Sequence, residues 1–172
     1  MVLFASFRTI KAQALAVEIG DVSEVSGYAQ IKRNEEPIDA DVKLIIQSND
    51  EAVTTNGRMA ITFLDDSTVK LTEHSQLTID EYIYDPDPSK SKMALTFGLG
   101  TARFITGQLG KIDNRNIALK TPTANIAIRG TDFTATVDEL GRSLIILLPD
   151  KYGVSSGEIE VLTATGSVLL NK

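Results

Sequence analysis

From Gly20 onward, apolar and polar residues alternate with a period of two, and turn-forming residues break the alternation at short intervals. Successive side chains of a strand point to opposite faces, so this pattern predicts half-buried β-strands; helical periodicity is absent from the stretch. Val25, Tyr28 and Ile31 predict a first strand, followed by a polar loop from Arg33 to Glu36 that Pro37 closes. Val42, Leu44 and Ile46 alternate next, and Asn49 to Glu51 turns the chain. Met59, Ile61 and Phe63 share one face of a strand while Ala60, Thr62 and Leu64 take the other. Asp65, Asp66 and Ser67 then form a tight turn into Val69 and Leu71, which predicts a β-hairpin, since Asp tolerates the left-handed backbone of such turns.

Leu77 and Ile79 extend the meander until Asp85-Pro86-Asp87-Pro88, whose two prolines no central strand accommodates. Met93, Leu95 and Phe97 lead into Gly98-Leu99-Gly100, read as a bulge or sharp bend, after which Ala102, Phe104 and Thr106 resume the alternation. Ile117 with Leu119, Ile126 with Ile128, and Phe133 with Ala135 and Val137 mark three more strands. The apolar run Leu144 to Leu148 predicts a strand buried on both faces. Ile159 and Val161, a Thr165-Gly166 turn, and Val168 to Leu170 make a last hairpin. The sum is an all-β single domain over residues 20–172, with about ten short, mostly antiparallel strands in a sandwich or β-helix-like stack.

Residues 1–19 read differently. Leu3, Phe7, Ile10, Ala14 and Leu15 recur at three- and four-residue spacing, which fits an amphipathic arm or short helix. In that reading Leu3, Phe4, Phe7 and Ile10 dock on a partner, because an exposed apolar patch usually marks a contact surface. Ala14-Leu15-Ala16 also has the A-x-A form that signal peptidase cuts, although the apolar run before it is short and Arg8 and Lys11 follow it. The two readings are a retained arm and the remnant of an export signal cleaved after residue 16.

Composition narrows the function more than the fold. The net charge is −6 and the 17 Lys and Arg are scattered, so the basic stripe of a nucleic-acid reader is missing. The chain has no cysteine, which removes disulfides, thiolate metal sites and thiol nucleophiles. No apolar stretch is long enough for a membrane-spanning helix.

Chemistry-bearing residues are sparse. His74, the one histidine, falls in a turn-like stretch with no acid and serine signalled beside it, so the plain reading is a surface histidine. Asp85 with Asp87 and Asp65 with Asp66 offer oxygens to calcium, but not in the spacing of a twelve-residue calcium loop. Gly98-x-Gly100 lacks the third glycine and the helix of a dinucleotide site. Asp80 and Glu81 are adjacent on a strand and point to opposite faces, which is wrong for a glycoside-cleaving pair. No enzyme, metal or cofactor is expected.

Six segments in order resemble the FecR-like domain family: Asn56 to Phe63, Asp65 to Leu71, Ser75 to Ile79, Gly100 to Phe104, and Thr121-Pro122-Thr123-Ala124 followed by Ile128 to Phe133. The resemblance runs from about Gly27 to Leu170, and the last pair of segments is its most specific part. It implies an all-β module of the kind found in bacterial extracytoplasmic proteins and in some phage genomes. Three features depart from the family pattern: Asp66 stands where Gly is commoner, relatives run on beyond Lys172, and the anti-sigma segment and membrane helix of the family's iron-citrate regulator have no counterpart here. Transmembrane signalling by this chain alone and sensing of ferric citrate are therefore not expected.

Within the most specific block, Thr121, Pro122, Arg129, Gly130, Thr131 and Asp132 are the candidate structural or contact residues. Gly130 suits a bend where another segment presses close, and Arg129 and Asp132 bring opposite charges to it, chiefly to tie down neighbouring backbone or a carboxylate. Two roles fit a non-catalytic module. The first expectation is a subunit of a larger assembly such as a virion or tail component, with protein partners, self-association and no nucleic acid. The alternative is a periplasmic ligand-binding or signal-sensing domain.

Overall fold

A computed structural model of the chain describes residues 17–111, 116–149, 152–154 and 157–171. The docking residues expected in the arm, Leu3, Phe4, Phe7 and Ile10, and the A-x-A pattern lie outside the described residues. Fifteen strands follow one another: β1 (Gly20–Ser26), β2 (Ala29–Arg33), β3 (Glu36–Asp39), β4 (Ile45–Ile46), β5 (Glu51–Thr54), β6 (Arg58–Phe63), β7 (Thr68–Leu71), β8 (Gln76–Ile83), β9 (Lys92–Ile105), β10 (Ile117–Lys120), β11 (Asn125–Arg129), β12 (Asp132–Val137), β13 (Ser143–Leu147), β14 (Glu158–Thr163) and β15 (Gly166–Leu170). Short 3₁₀ turns occupy Pro88–Lys90 and Leu109–Lys111. The all-β architecture is as the alternation predicts, but with fifteen strands in place of about ten.

The long strand β9 organises the rest. Its first part pairs with β8 and, in parallel, with β10; its last part pairs with β7 and β12. One layer therefore runs β4-β1-β6-β7-β9-β12-β13 and the other β3-β2-β5-β8-β9-β10-β11-β14-β15, joined through β9 into one continuous sheet. Every pairing except β9 with β10 is antiparallel among the described residues.

Strand β9 changes layers at the predicted bend. Leu77 pairs with Phe97 and Gln76 with Leu99, which leaves Gly98 as the bulged residue. Gly100 follows at φ +95°, and a Cβ there would meet the His74 carbonyl oxygen at 2.6 Å, so only glycine fits. The two layers enclose one apolar core. Phe63 of β6 stacks on Tyr82 of β8 with ring centroids 5.2 Å apart, while Phe104 stacks on Phe133 at 5.0 Å and meets Phe97 edge-on at 6.0 Å. Such pairs add about 0.5–1.5 kcal/mol each beyond their buried area.

The β6–β7 hairpin forms as predicted, with Asp66 at φ +65°. The tip is bound into the molecule by Asp65, which is fully buried. Its carboxylate accepts hydrogen bonds from the Ser67 hydroxyl at 2.6 Å, the Tyr82 hydroxyl at 3.1 Å and the Leu109 N–H at 3.2 Å. Burial, then the charge and hydrogen bond of Asp65, push the Tyr82 phenol well above its ordinary range. A second buried carboxylate, Asp50, accepts both Nε and Nη2 of Arg33 at 2.8 and 2.7 Å and the Gln47 N–H at 2.9 Å.

Three local expectations need correction. Among the described residues the run Leu144 to Leu148 is not covered on both sides: β13 lies at the end of its layer, paired only with β12, and Leu144 and Ile146 are 58% and 47% exposed. A continuous apolar run does not tell a central strand from an apolar edge strand. Around Val42 only Ile45–Ile46 is strand, because Lys43 turns at φ +76° and leaves Val42 exposed. Tyr28 sits exposed just after the Gly27 turn that separates β1 from β2.

Candidate functional site

Thr121-Pro122-Thr123-Ala124 is the turn between β10 and β11. The Thr121 N–H donates to the Ala124 carbonyl at 2.9 Å, the Ala124 N–H donates to the Thr121 hydroxyl at 3.1 Å, and Pro122 presets the backbone between them. Two hydroxyls then bind this turn to the other layer: Ser143 donates to Thr121 at 2.7 Å, and Thr123 donates to the Gly141 carbonyl at 3.2 Å.

The Arg129 to Phe133 segment carries the chain from one layer to the other. Gly130 has φ +45°, and a Cβ on it would lie 2.7 Å from the Gly110 carbonyl oxygen. A Cβ on Gly157 would in turn lie 2.2 Å from the Gly130 oxygen, so three backbone segments meet where none can carry a side chain. Buried Thr131 fixes the exit, its N–H donating to the Thr106 hydroxyl at 2.7 Å and its carbonyl accepting the Thr106 N–H at 3.1 Å. The two charges flanking the bend reach partners in different layers. Arg129 pairs with Glu158 at 3.0 Å across β11 and β14, and Asp132 holds both arms of the Arg103 guanidinium, the Nε bond being 2.8 Å. Asp132 links the block to the open face of the layer that runs β4-β1-β6-β7-β9-β12-β13.

On that face the register lines up one row of side chains across six strands: Glu24, Ala60, Lys70, Arg103, Thr134 and Ile146. Thr72, Thr101 and Thr136 lie alongside it; the Thr72 N–H donates to the Thr101 carbonyl, and the Thr101 and Thr136 hydroxyls are 3.0 Å apart. The strands bound a shallow groove of about 460 Å³ whose lining includes Arg58, Lys70, Arg103, Thr72, Thr101 and Thr134. That volume lies within the ~300–1,000 Å³ of small-ligand sites.

Each groove cation is held by one acid. Lys70 Nζ lies 3.0 Å from Glu24 and Arg58 Nε lies 2.9 Å from Glu73. The Asp132 hydrogen bond raises the Arg103 pKa further, so its charge is permanent. A backbone hydrogen bond, then Arg58, hold Glu73 below the usual carboxylate range. An ammonium carries three donors and a guanidinium five, so each retains N–H groups beyond those its acid takes. These donors stand among Val25, Met59, Ala60 and Leu71, which leave most of the lining apolar, so the groove suits a ligand with an apolar body and carbonyl or carboxylate oxygens. Its one lining carboxylate, Glu24, is paired with Lys70.

The other sequence candidates are dispersed. His74 is exposed in the β7–β8 turn, where φ +54° and an N–H bond to the Thr55 carbonyl give it a backbone role. Asp85 caps the Asp87 N–H at 2.7 Å and Asp87 caps Ser89, while Asp80 bonds Thr96 at 2.7 Å and Glu81 pairs with Lys92. Among the described residues no three His, Cys, Asp or Glu side chains converge to hold a metal. Lys70 and Arg103 lie within two of the family-like segments, Asp65 to Leu71 and Gly100 to Phe104, but are not singled out there; their place on the polar side of two alternating strands is the signal that could have found them.

Residues 50–169 match the family model described as FecR protein. The chain belongs to the FecR family. This FecR domain spans the hairpin, the layer-changing strand β9, both parts of the threonine-glycine block and the final hairpin. Among solved structures it is similar to a candidate anti-sigma factor from Parabacteroides distasonis ATCC 8503. The identity is 14% and the TM-score 0.49, over 69% of this chain and 49% of that one, so the match spans about half of the other protein. No curated protein matches it.

Proposed function

We propose that the chain is a non-catalytic, extracytoplasmic signal-sensing module, and that the open face around Lys70 and Arg103 receives its signal. The observation that carries this reading is the FecR family match over residues 50–169. It favours the periplasmic sensing alternative over the virion or tail subunit. The groove adds chemical support: its cations and threonine hydroxyls are fixed by cross-strand pairing and by Asp132, so recognition needs no rearrangement of the backbone. The acidic net charge argues against nucleic acid as the ligand.

The reading is tested by deleting the gene in its source cell and restoring it with a tagged full-length copy. The expected result is recovery of the product in the envelope fraction and a set of transcripts that changes on deletion and returns on restoration. Recovery in sedimenting particles with an unchanged transcriptome contradicts it.

A further inference from the structure

The free edges of this sheet are not alike. Among the described residues strand β3 pairs only with β2, and it carries Glu36, Pro37 and Asp39, the charges and proline that block strand addition. Strand β4 is two residues long. Strand β13 has neither protection: Ser143-Leu144-Ile145-Ile146-Leu147 has no charge, proline or glycine, and among the described residues its backbone pairs with β12 on one side only. It is also a fixed template, since Ile145 and Leu147 pack against the core while Leu144 and Ile146 project from the open face. Strand β15, the other bare edge, is anchored to the core through Leu170 alone.

We propose that two copies of the chain pair antiparallel along β13, about a two-fold axis, to make one sheet across the pair. The argument for a second copy is self-complementarity. With Ile145 opposite its own copy, Leu144 of each protomer faces Ile146 of the other and no charged residues within the strands are opposed, which matters for a chain of net charge −6. Arg142, at the head of the strand, is already neutralised by Asp138 at 2.6 Å. A five-residue edge falls below the roughly 1,200 Å² of a standard interface, so the dimer is weak and concentration-dependent. In it the two Lys70–Arg103 grooves lie on one continuous face.

Light scattering on the eluted full-length chain tests this. The mass is expected to rise from 18.6 kDa toward twice that value as concentration increases, and Leu144→Lys/Ile146→Lys is expected to stay at 18.6 kDa with an unchanged circular dichroism spectrum. The native chain has no cysteine, so Leu144→Cys/Ile146→Cys gives an independent reading: mild oxidation should produce a covalent dimer. A monomer at every concentration, a ladder of masses beyond two, or a lysine variant that still dimerises overturns the proposal.

Discussion

Replacing Gly130 with Ala tests whether three backbone segments meet at the layer crossing. At φ +45° any side chain costs about 1–2 kcal/mol in backbone strain. The added Cβ would also sit 2.7 Å from the Gly110 oxygen, and that atom has little room to retreat, because Gly110 itself lies against Thr106 and the Gly130 Cα. Forcing extra volume into such a site costs a further ~1–3 kcal/mol. The sum is about 2–5 kcal/mol, and at roughly 2–4 °C per kcal/mol for a chain of this size the Tm falls by about 10 °C. Two controls separate the contributions. Gly153 has φ +78° with nothing within 4 Å, so Gly153→Ala carries the strain alone; Gly98 has only the Gln76 oxygen at 4.0 Å, so Gly98→Ala gains about 0.4–1 kcal/mol from a stiffer unfolded chain. Thermal melts of the three variants decide the matter. If Gly130→Ala melts no lower than Gly153→Ala, the crossing is not packed as described.

Asp65→Ala removes the acceptor for the buried Ser67, Tyr82 and Leu109 donors, and at about 1–3 kcal/mol per orphaned donor it should lose at least ~3 kcal/mol in urea unfolding, with Asp65→Asn losing less. Tyr82 is neutral in the fold with a raised pKa, so its contribution is complete below the unfolded value near 10 and is lost as pH rises above it; Tyr82→Phe should flatten that alkaline loss of stability. Burial raises the Glu51 carboxyl, but Gln76 and Lys32 outweigh it and hold the group below its ordinary value. Stability from Glu51 is therefore present above about pH 4.5 and fades as pH falls below it, and Glu51→Gln should reduce the slope of stability against pH in that acid range.

The strands with strict alternation were legible. Met59-Ile61-Phe63, Met93-Leu95-Phe97 and Phe133-Ala135-Val137 all turn their apolar residues to the core, because period two fixes which face is buried. Strands too short to show a period were not: β3, β4 and β5 are set by turns at Asn34, Lys43 and Asn49, where non-glycine residues adopt left-handed backbone. Gly130 was readable as a bend, but not its neighbours Gly110 and Gly157, which reach it only through the tertiary fold. The groove was hidden for a related reason. Glu24, Lys70 and Arg103 are far apart in sequence and become a row only through register.

The central claim is that this row receives the signal. Its most direct test is the transcriptome of source cells carrying Lys70→Ala/Arg103→Ala in the full-length gene, compared with wild type and deletion. Both side chains are half exposed, so the variant is expected to keep its abundance and envelope location while reproducing the transcript changes of the deletion. A wild-type transcript pattern in cells that respond to the deletion would contradict the account.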